Sequence, residues 1–150
     1  MLCDGMRAQT LVNLTLQHVI IDRNRRHFGE VNSMIESSCI CGAVRLAITR
    51  APDEVVDCNC TLCRRYGALW AYYSPKDVIV PSGLTDTYMR GAKRAEFHRC
   101  KICGCVTHWS ALDKTYDRMG VNARLMAPEV LSRARVHPFD GLNILKYLDE

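Results

Sequence analysis

The sequence lacks several features that would assign it to a functional class directly. It has no run of about 18 apolar residues able to span a membrane, and its N-terminus lacks the charged, apolar and small-residue order of a signal peptide. No block of about five like charges occurs, so the net charge of +4 does not indicate a nucleic-acid-binding arm. These absences predict a cytoplasmic protein that binds neither membrane nor nucleic acid.

Long helical patterns are also missing. Before Pro128 no helical periodicity continues for about 12 residues, and short apolar runs instead alternate with glycine and proline, as in short strands. The predicted strands lie within residues 44–48, 55–56, 69–73, 78–80, 87–89, 96–98, 106–109 and 118–126. Short helical turns are predicted at residues 64–66 and 129–133, the second with Pro128 at a first helical position. The fold class is therefore mainly β with short helices.

Cysteine, in contrast, is abundant. The chain has nine cysteines in 150 residues, an odd number, and a reducing cytosol disfavours structural disulfides. Eight of the nine fall in three short motifs: Cys39 and Cys41; Cys58, Cys60 and Cys63; Cys100, Cys103 and Cys105. Neighbours in a C-x-C motif are poorly placed to bridge each other, whereas thiolates from two tight turns can share a tetrahedral zinc. The spacing therefore favours metal binding over disulfides.

The ninth cysteine, Cys3, lies in a segment of a different character. Residues 1–33 have no metal-type motif, and we interpret them as an N-terminal extension, an extra strand, or upstream sequence included by the choice of start codon. The organised pattern begins at Met34, itself a plausible initiator. We therefore expect one zinc-binding domain over residues 34–150.

The three motifs, in this order, resemble those of a known family. They read Cys39-Ile-Cys41-Gly42-Ala-Val-Arg45, Cys58-Asn-Cys60-Thr-Leu-Cys63-Arg64-Arg65, and Phe97-His-Arg-Cys100-Lys-Ile-Cys103-Gly104-Cys105. The chain from about residue 38 onward resembles the glutathione-dependent formaldehyde-activating enzyme family, which includes centromere protein V-like domains. The resemblance implies an Mss4-like β-tent, in which small antiparallel sheets are joined and stapled by zinc.

The resemblance also implies how two zinc ions are held. The structural zinc would be bound by Cys39, Cys41, Cys100 and Cys103, and a second, functional zinc by Cys58, Cys60 and Cys63. Four thiolates close a tetrahedral site, whereas three leave one position for water or substrate. Three soft, charge-donating thiolates make zinc a weaker activator of water and a better partner for another thiolate. We therefore expect the three-cysteine site to be the reactive one and to prefer a thiol.

The activity implied by the resemblance is that of a carbon–sulfur lyase. Zinc would bind the sulfur of glutathione, the co-substrate, and the sulfur would add to formaldehyde to give S-hydroxymethylglutathione, or the reverse. Arg64 and Arg65 could pair with the glutathione carboxylates, or simply form a solvated face. The aldehyde leaves no sequence signature, so another thiol adduct remains open as substrate.

A different class of function also remains open. Zinc-stapled β domains often serve as binding modules, so the alternative is a scaffold domain without catalysis. The expected partner is a small-molecule thiol, and a homo-oligomer is left open. Metal analysis and direct assay of the thiol reaction distinguish these functions.

Several other residues have both a functional and a structural interpretation. His108 could donate a proton or bind metal, but a histidine in a strand is more often packed or hydrogen-bonded. Trp70, Tyr72 and Tyr73 could line a pocket, but aromatic residues in strands are usually core, and we expect this of at least two. Cys105 could replace a ligand or be buried as a small apolar residue.

Overall fold

The elements of the fold are short and most are bounded by the cysteine motifs or by glycine and proline turns. A computed structural model describes residues 34–149. The strands are β1 Ile35–Ser38, β2 Arg45–Ile48, β3 Glu54–Cys58, β4 Trp70–Tyr73, β5 Val78–Ile79, β6 Thr85–Met89, β7 Ala95–Cys100, β8 Val106–Ala111, β9 Met119–Asn122, β10 Arg135–Asp140 and β11 Lys146–Tyr147. The α-helices are α1 Cys63–Tyr66 and α2 Pro128–Leu131, and Pro75–Asp77 and Ala123–Leu125 form 3-10 turns. The predicted extension at residues 1–33, with Cys3, lies outside the described residues.

The strands form two sheets. The smaller has the order β1-β2-β5, and the larger has the order β11-β10-β3-β4-β9-β8-β7-β6. All neighbouring strands are antiparallel except β3 and β10, which are parallel. The mainly β class with antiparallel sheets and short helices is thus confirmed. No helix among residues 34–149 is long and apolar enough to cross a membrane.

Apolar alternation in β2 and β4 defines the main core. On β2, Leu46 and Ile48 are fully buried while Arg45 is exposed, as the alternation predicts for a half-buried strand. On β4, Ala71 and Tyr73 pack in the same cluster, together with Val121 of β9. This core covers one face of the large sheet and includes the β2 side chains of the small sheet.

The other face of the large sheet is aromatic. Because successive side chains of a strand point to opposite faces, Trp70 and Tyr72 of β4 lie on the side away from Ala71 and Tyr73. Trp70 forms the centre of a second buried cluster, against which Phe97 and Trp109 pack. Trp70 and Tyr73 are buried and Tyr72 is half-buried, which agrees with the expectation that at least two of the three are core.

The largest differences between the structure and the predicted strands are at three elements and at the end of the strand predicted over residues 118–126. The pattern did not predict β1, β10 or β11, and β10 contains Pro138, which counts against a strand when no partner is known. The predicted strand at residues 118–126 ends at Asn122, because the Asn122 side chain accepts a hydrogen bond from the backbone N–H of Arg124 at 3.3 Å. That contact begins a 3-10 turn instead of continuing the strand.

A pair of stacked histidines lies near the β6 edge of the large sheet. His98 of β7 and His108 of β8 face each other across the strands, with ring centroids 4.0 Å apart and planes 10° apart. His108 is buried and its Nδ1 lies 3.0 Å from Thr107 Oγ1. Burial lowers the pKa of His108 to about 3, and burial also lowers the pKa of His98. Both imidazoles are therefore neutral at physiological pH.

We expect this pair to make the protein acid-sensitive. An unfolded histidine takes up a proton near pH ~6.5, whereas folded His108 does so only near pH 3, so stability falls as pH drops through this window. Replacing His108→Gln should flatten the dependence of unfolding free energy on pH by up to about 1.4 kcal/mol per pH unit. Urea unfolding of both proteins between pH 7 and about pH 5 measures it. Equal slopes would contradict a neutral, buried His108.

Candidate metal centres

Four cysteine sulfurs converge where the turn between β1 and β2 meets the turn between β7 and β8. They belong to Cys39, Cys41, Cys100 and Cys103, the four-cysteine cluster, and all Sγ atoms lie within 4.8 Å of one another. Cys41 Sγ is 3.5 Å from Cys39 Sγ and 3.7 Å from Cys100 Sγ. Two thiolates bound to a tetrahedral zinc at ~2.3 Å would stand about 3.8 Å apart. The observed spacing therefore fits a zinc ion.

Backbone hydrogen bonds hold this cluster. Val44 donates its N–H to Cys39 Sγ at 3.3 Å. On the other turn, Cys100 donates its N–H to the carbonyl of Cys105 at 2.9 Å. The backbone N–H groups of Cys105 and Cys41 lower the pKa of Cys103 to about 6. At least one sulfur of the cluster is therefore ready to bind a cation as a thiolate at neutral pH.

The three-cysteine cluster consists of Cys58, Cys60 and Cys63, whose Sγ atoms also lie within 4.8 Å of one another. Cys58 ends β3 and Cys63 begins α1, so a single tight turn carries all three sulfurs. Cys63 donates its N–H to Cys60 Sγ at 3.4 Å, and Trp70 donates Nε1–H to Cys63 Sγ at 3.1 Å. Among residues 34–149, no fourth cysteine, histidine or carboxylate joins this group.

The thiols of the three-cysteine cluster differ in pKa. The hydrogen bond with Cys63 lowers the pKa of Cys58 to about 6, and the same contact, with burial, raises the pKa of Cys63. Cys58 is thus the sulfur that ionises first. A turn that carries one thiolate beside two further soft donors is a suitable site for a zinc ion.

Comparison with known proteins identifies the family of the chain. A family model described as "Glutathione-dependent formaldehyde-activating enzyme" matches residues 34–139. The chain belongs to this family. A crystal structure of a Rhodobacter sphaeroides protein, a structural genomics target, is similar with a TM-score of 0.56 and 26% identity, covering 68% of this chain and 99% of that one. No curated protein matches the sequence.

In this member of the formaldehyde-activating family, the three-cysteine cluster lies against the aromatic face of the large sheet. Trp70, hydrogen-bonded to Cys63, has its ring centroid 6.0 Å from that of Phe97. Trp109 crosses Gly120 so closely that a Cβ added there would lie 2.1 Å from Trp109 Nε1. Gly120 is therefore required by the packing of the indole, a role that its sequence pattern did not reveal.

The loop after β10 closes over the same cluster. Asn59 donates from Nδ2 to Asp140 Oδ1 at 2.9 Å, and its Oδ1 accepts the N–H of Leu142 at 3.1 Å. Hydrogen bonding from Asn59 lowers the pKa of Asp140. A Cβ added to Gly141 would lie 2.6 Å from Cys58 Sγ, so the loop can approach the sulfur only with glycine there. Sequence reasoning missed Asn59 and Asp140, because their pairing is long-range.

The two candidate arginines differ in their surroundings. Both are exposed on α1, directly after Cys63. Arg65 Nη1 donates to the carbonyl of Thr61 at 2.6 Å, and Arg65 lines an adjacent cleft, whereas Arg64 does not. A role for either residue in binding glutathione remains a prediction.

The remaining candidates occupy structural positions. His108 alternates with Trp109 along β8 and so points away from the aromatic face and the three-cysteine cluster. Its burial and stacking on His98 agree with a packed histidine. Cys105 is half-buried beside Cys103 but is not one of the four mutually close sulfurs.

We expect the two clusters to respond differently to loss of a sulfur. Cys39→Ser should unfold the domain because Cys39 is a buried member of the cluster to which turns of both sheets contribute, whereas Cys58→Ser should keep the fold and lose one of two zinc ions. Elemental analysis and circular dichroism measure the two effects. Cys105→Ser is the matched control and should retain both ions. Equal effects of the first two substitutions would contradict this division.

We expect Gly141→Ala to weaken metal binding at the three-cysteine cluster alone. The added methyl group would displace Cys58 Sγ or the loop, and disturbed support of a ligand typically weakens metal affinity by about tenfold or more. Competition with a chromogenic chelator measures the affinity of each site. Leu142→Ala, which shortens the exposed neighbouring side chain, should leave both affinities unchanged. Unaltered affinity in Gly141→Ala would contradict the proposed closeness of loop and ligand.

Proposed function

We propose that the protein is a carbon–sulfur lyase that joins glutathione to formaldehyde or releases it from the adduct. The observation that supports this proposal is the incomplete ligand set of the three-cysteine cluster. Three sulfurs converge there, while residues 34–149 contribute no fourth ligand. A site with three protein ligands has a position left for a substrate, which the four-cysteine cluster does not have.

In this proposal Cys58, Cys60 and Cys63 hold the functional zinc, and Cys39, Cys41, Cys100 and Cys103 hold the structural one. Zinc bound at the three-cysteine cluster would lower the pKa of an added thiol, so that the thiol is a nucleophilic thiolate at neutral pH. In this proposal residues 34–150 form one zinc domain, of which the family model matches residues 34–139.

The chain's own contacts suit a cluster that accumulates negative charge. Trp70 Nε1–H and the backbone N–H of Cys63 donate to two of the sulfurs. Such donors stabilise thiolates and fix their orientation. The aromatic side chains behind them restrict water on that side, which strengthens these interactions.

The proposed reaction balances without a further reactant. A bond forms between the thiol sulfur and the carbonyl carbon, the carbonyl π bond breaks, and the thiol proton ends on the new hydroxyl oxygen. The reverse reaction breaks the same carbon–sulfur bond. In this proposal Arg64 and Arg65, which follow Cys63 on α1, attract the carboxylates of glutathione.

NMR exchange spectroscopy of glutathione, formaldehyde and S-hydroxymethylglutathione tests the proposal. We expect the full chain, loaded with zinc, to accelerate exchange above the uncatalysed rate, and Cys58→Ser to return it to that rate. Absence of acceleration by the wild-type protein, with both ions bound, would contradict the proposal. It would favour a zinc-stabilised scaffold or a different thiol substrate.

A further inference from the structure

A cleft of about 550 Å³ lies beside α1, and neither cluster of cysteines accounts for it. We call it the arginine cleft, and its walls are formed by Arg65, Tyr66, Thr87, Tyr88, Arg99 and residues 104–106. Its volume is within the range of ~300–1,000 Å³ typical of small-molecule sites. It is therefore large enough for a short peptide or a molecule of similar size.

The position of the cleft connects it with the three-cysteine cluster. Its wall on α1 follows Cys63 directly, since Arg65 and Tyr66 belong to the same helix. Tyr66 packs on Phe97 with ring centroids 6.0 Å apart, and Phe97 packs at the same distance on Trp70, which donates to Cys63 Sγ. A continuous set of contacts thus joins the cleft to Cys63 Sγ, and the helix α1 that begins at Cys63 also forms part of the cleft wall.

The charge of the cleft is positive. Arg65 and Arg99 come from different elements, α1 and β7, and no acidic residue of the described chain lines the cleft with them. Arg99 Nη2 is 3.8 Å from a carboxylate oxygen of Asp86, but both side chains are at least half exposed, and such ion pairs contribute little. The Arg65 guanidinium, anchored on the Thr61 carbonyl, keeps donors available for another group.

We infer that Arg65 and Arg99 bind the carboxylate groups of the thiol substrate in the arginine cleft, an inference that rests on the function proposed above. Two guanidiniums from different elements of one cleft suit a ligand that carries two carboxylates, as glutathione does. Tyr66 and Tyr88 provide apolar and hydrogen-bonding surface for the peptide between them. The cleft would then select thiols that carry carboxylates over neutral thiols. Arg99, which lies on β7 and outside the motif that follows Cys63, would be a specificity residue in addition to Arg65.

Binding of S-methylglutathione tests this inference apart from the reaction. The molecule keeps both carboxylates but has no free thiol, so its affinity reports on the cleft alone. We expect isothermal titration of the zinc-loaded full chain to show binding that Arg65→Gln and Arg99→Gln each weaken by about five- to tenfold. Arg133→Gln, an exposed arginine that does not line the cleft, is the matched control and should bind as the wild type does.

The ligand provides a second control. The diethyl ester of S-methylglutathione should bind the wild type more weakly and should be insensitive to Arg99→Gln, because the two changes remove the same interaction. Absence of S-methylglutathione binding, or equal affinities of the wild type and both cleft variants, would overturn the inference. If the arginine variants bind weakly but the wild type does not accelerate the exchange of glutathione and formaldehyde, the proposed reaction fails while the cleft stands. If the wild type accelerates the exchange but neither arginine substitution changes the affinity for S-methylglutathione, the proposed reaction stands and the inference about the cleft fails.

Discussion

The convergence of four sulfurs from two distant turns is the constraint on which the described fold depends. Cys39 and Cys41 connect β1 and β2 of the small sheet, while Cys100 ends β7 of the large sheet. The strands have only two to six residues, and strands this short need extensive packing to be stable. The sheets also share the main core and the 3.4 Å hydrogen bond from Ser37 Oγ to the Asn122 carbonyl. A metal shared by the two turns would therefore contribute directly to folding.

The two faces of the large sheet carry different groups of side chains. Alternation along β4 directs Ala71 and Tyr73 into the main core, and Trp70 and Tyr72 toward the other side. The three-cysteine cluster is attached to that second side by the hydrogen bond between Trp70 and Cys63. In the proposed function, a ligand exchanged at the three-cysteine cluster would therefore stay outside the core that joins the two sheets.

Local patterns predicted much of this arrangement. The spacing within each motif predicted cysteines that converge in single turns, whereas the grouping of the first motif with the third came from the family resemblance, and the family model confirms that resemblance. Alternation in residues 44–48 was enough to place β2. The strand β10 was missed because proline, here Pro138, is uncommon inside a strand. Its pairing partner β3 also lies far away in the sequence. Asn59, Asp140 and Arg99 were missed for the same reason, since their partners or their cleft are assembled only by the fold.

The parallel pairing of β3 with β10 has a consequence for the order in which the protein is assembled. The three sulfurs of the three-cysteine cluster precede β4, whereas Gly141, which closes over Cys58, follows β10. During synthesis from the N-terminus these thiols leave the ribosome well before the loop that covers them. In that interval the nascent chain has reactive, uncovered thiols, which are open both to oxidation and to capture by any soft metal in the cell. The connectivity of one strand pair thus determines how long the centre is chemically unprotected.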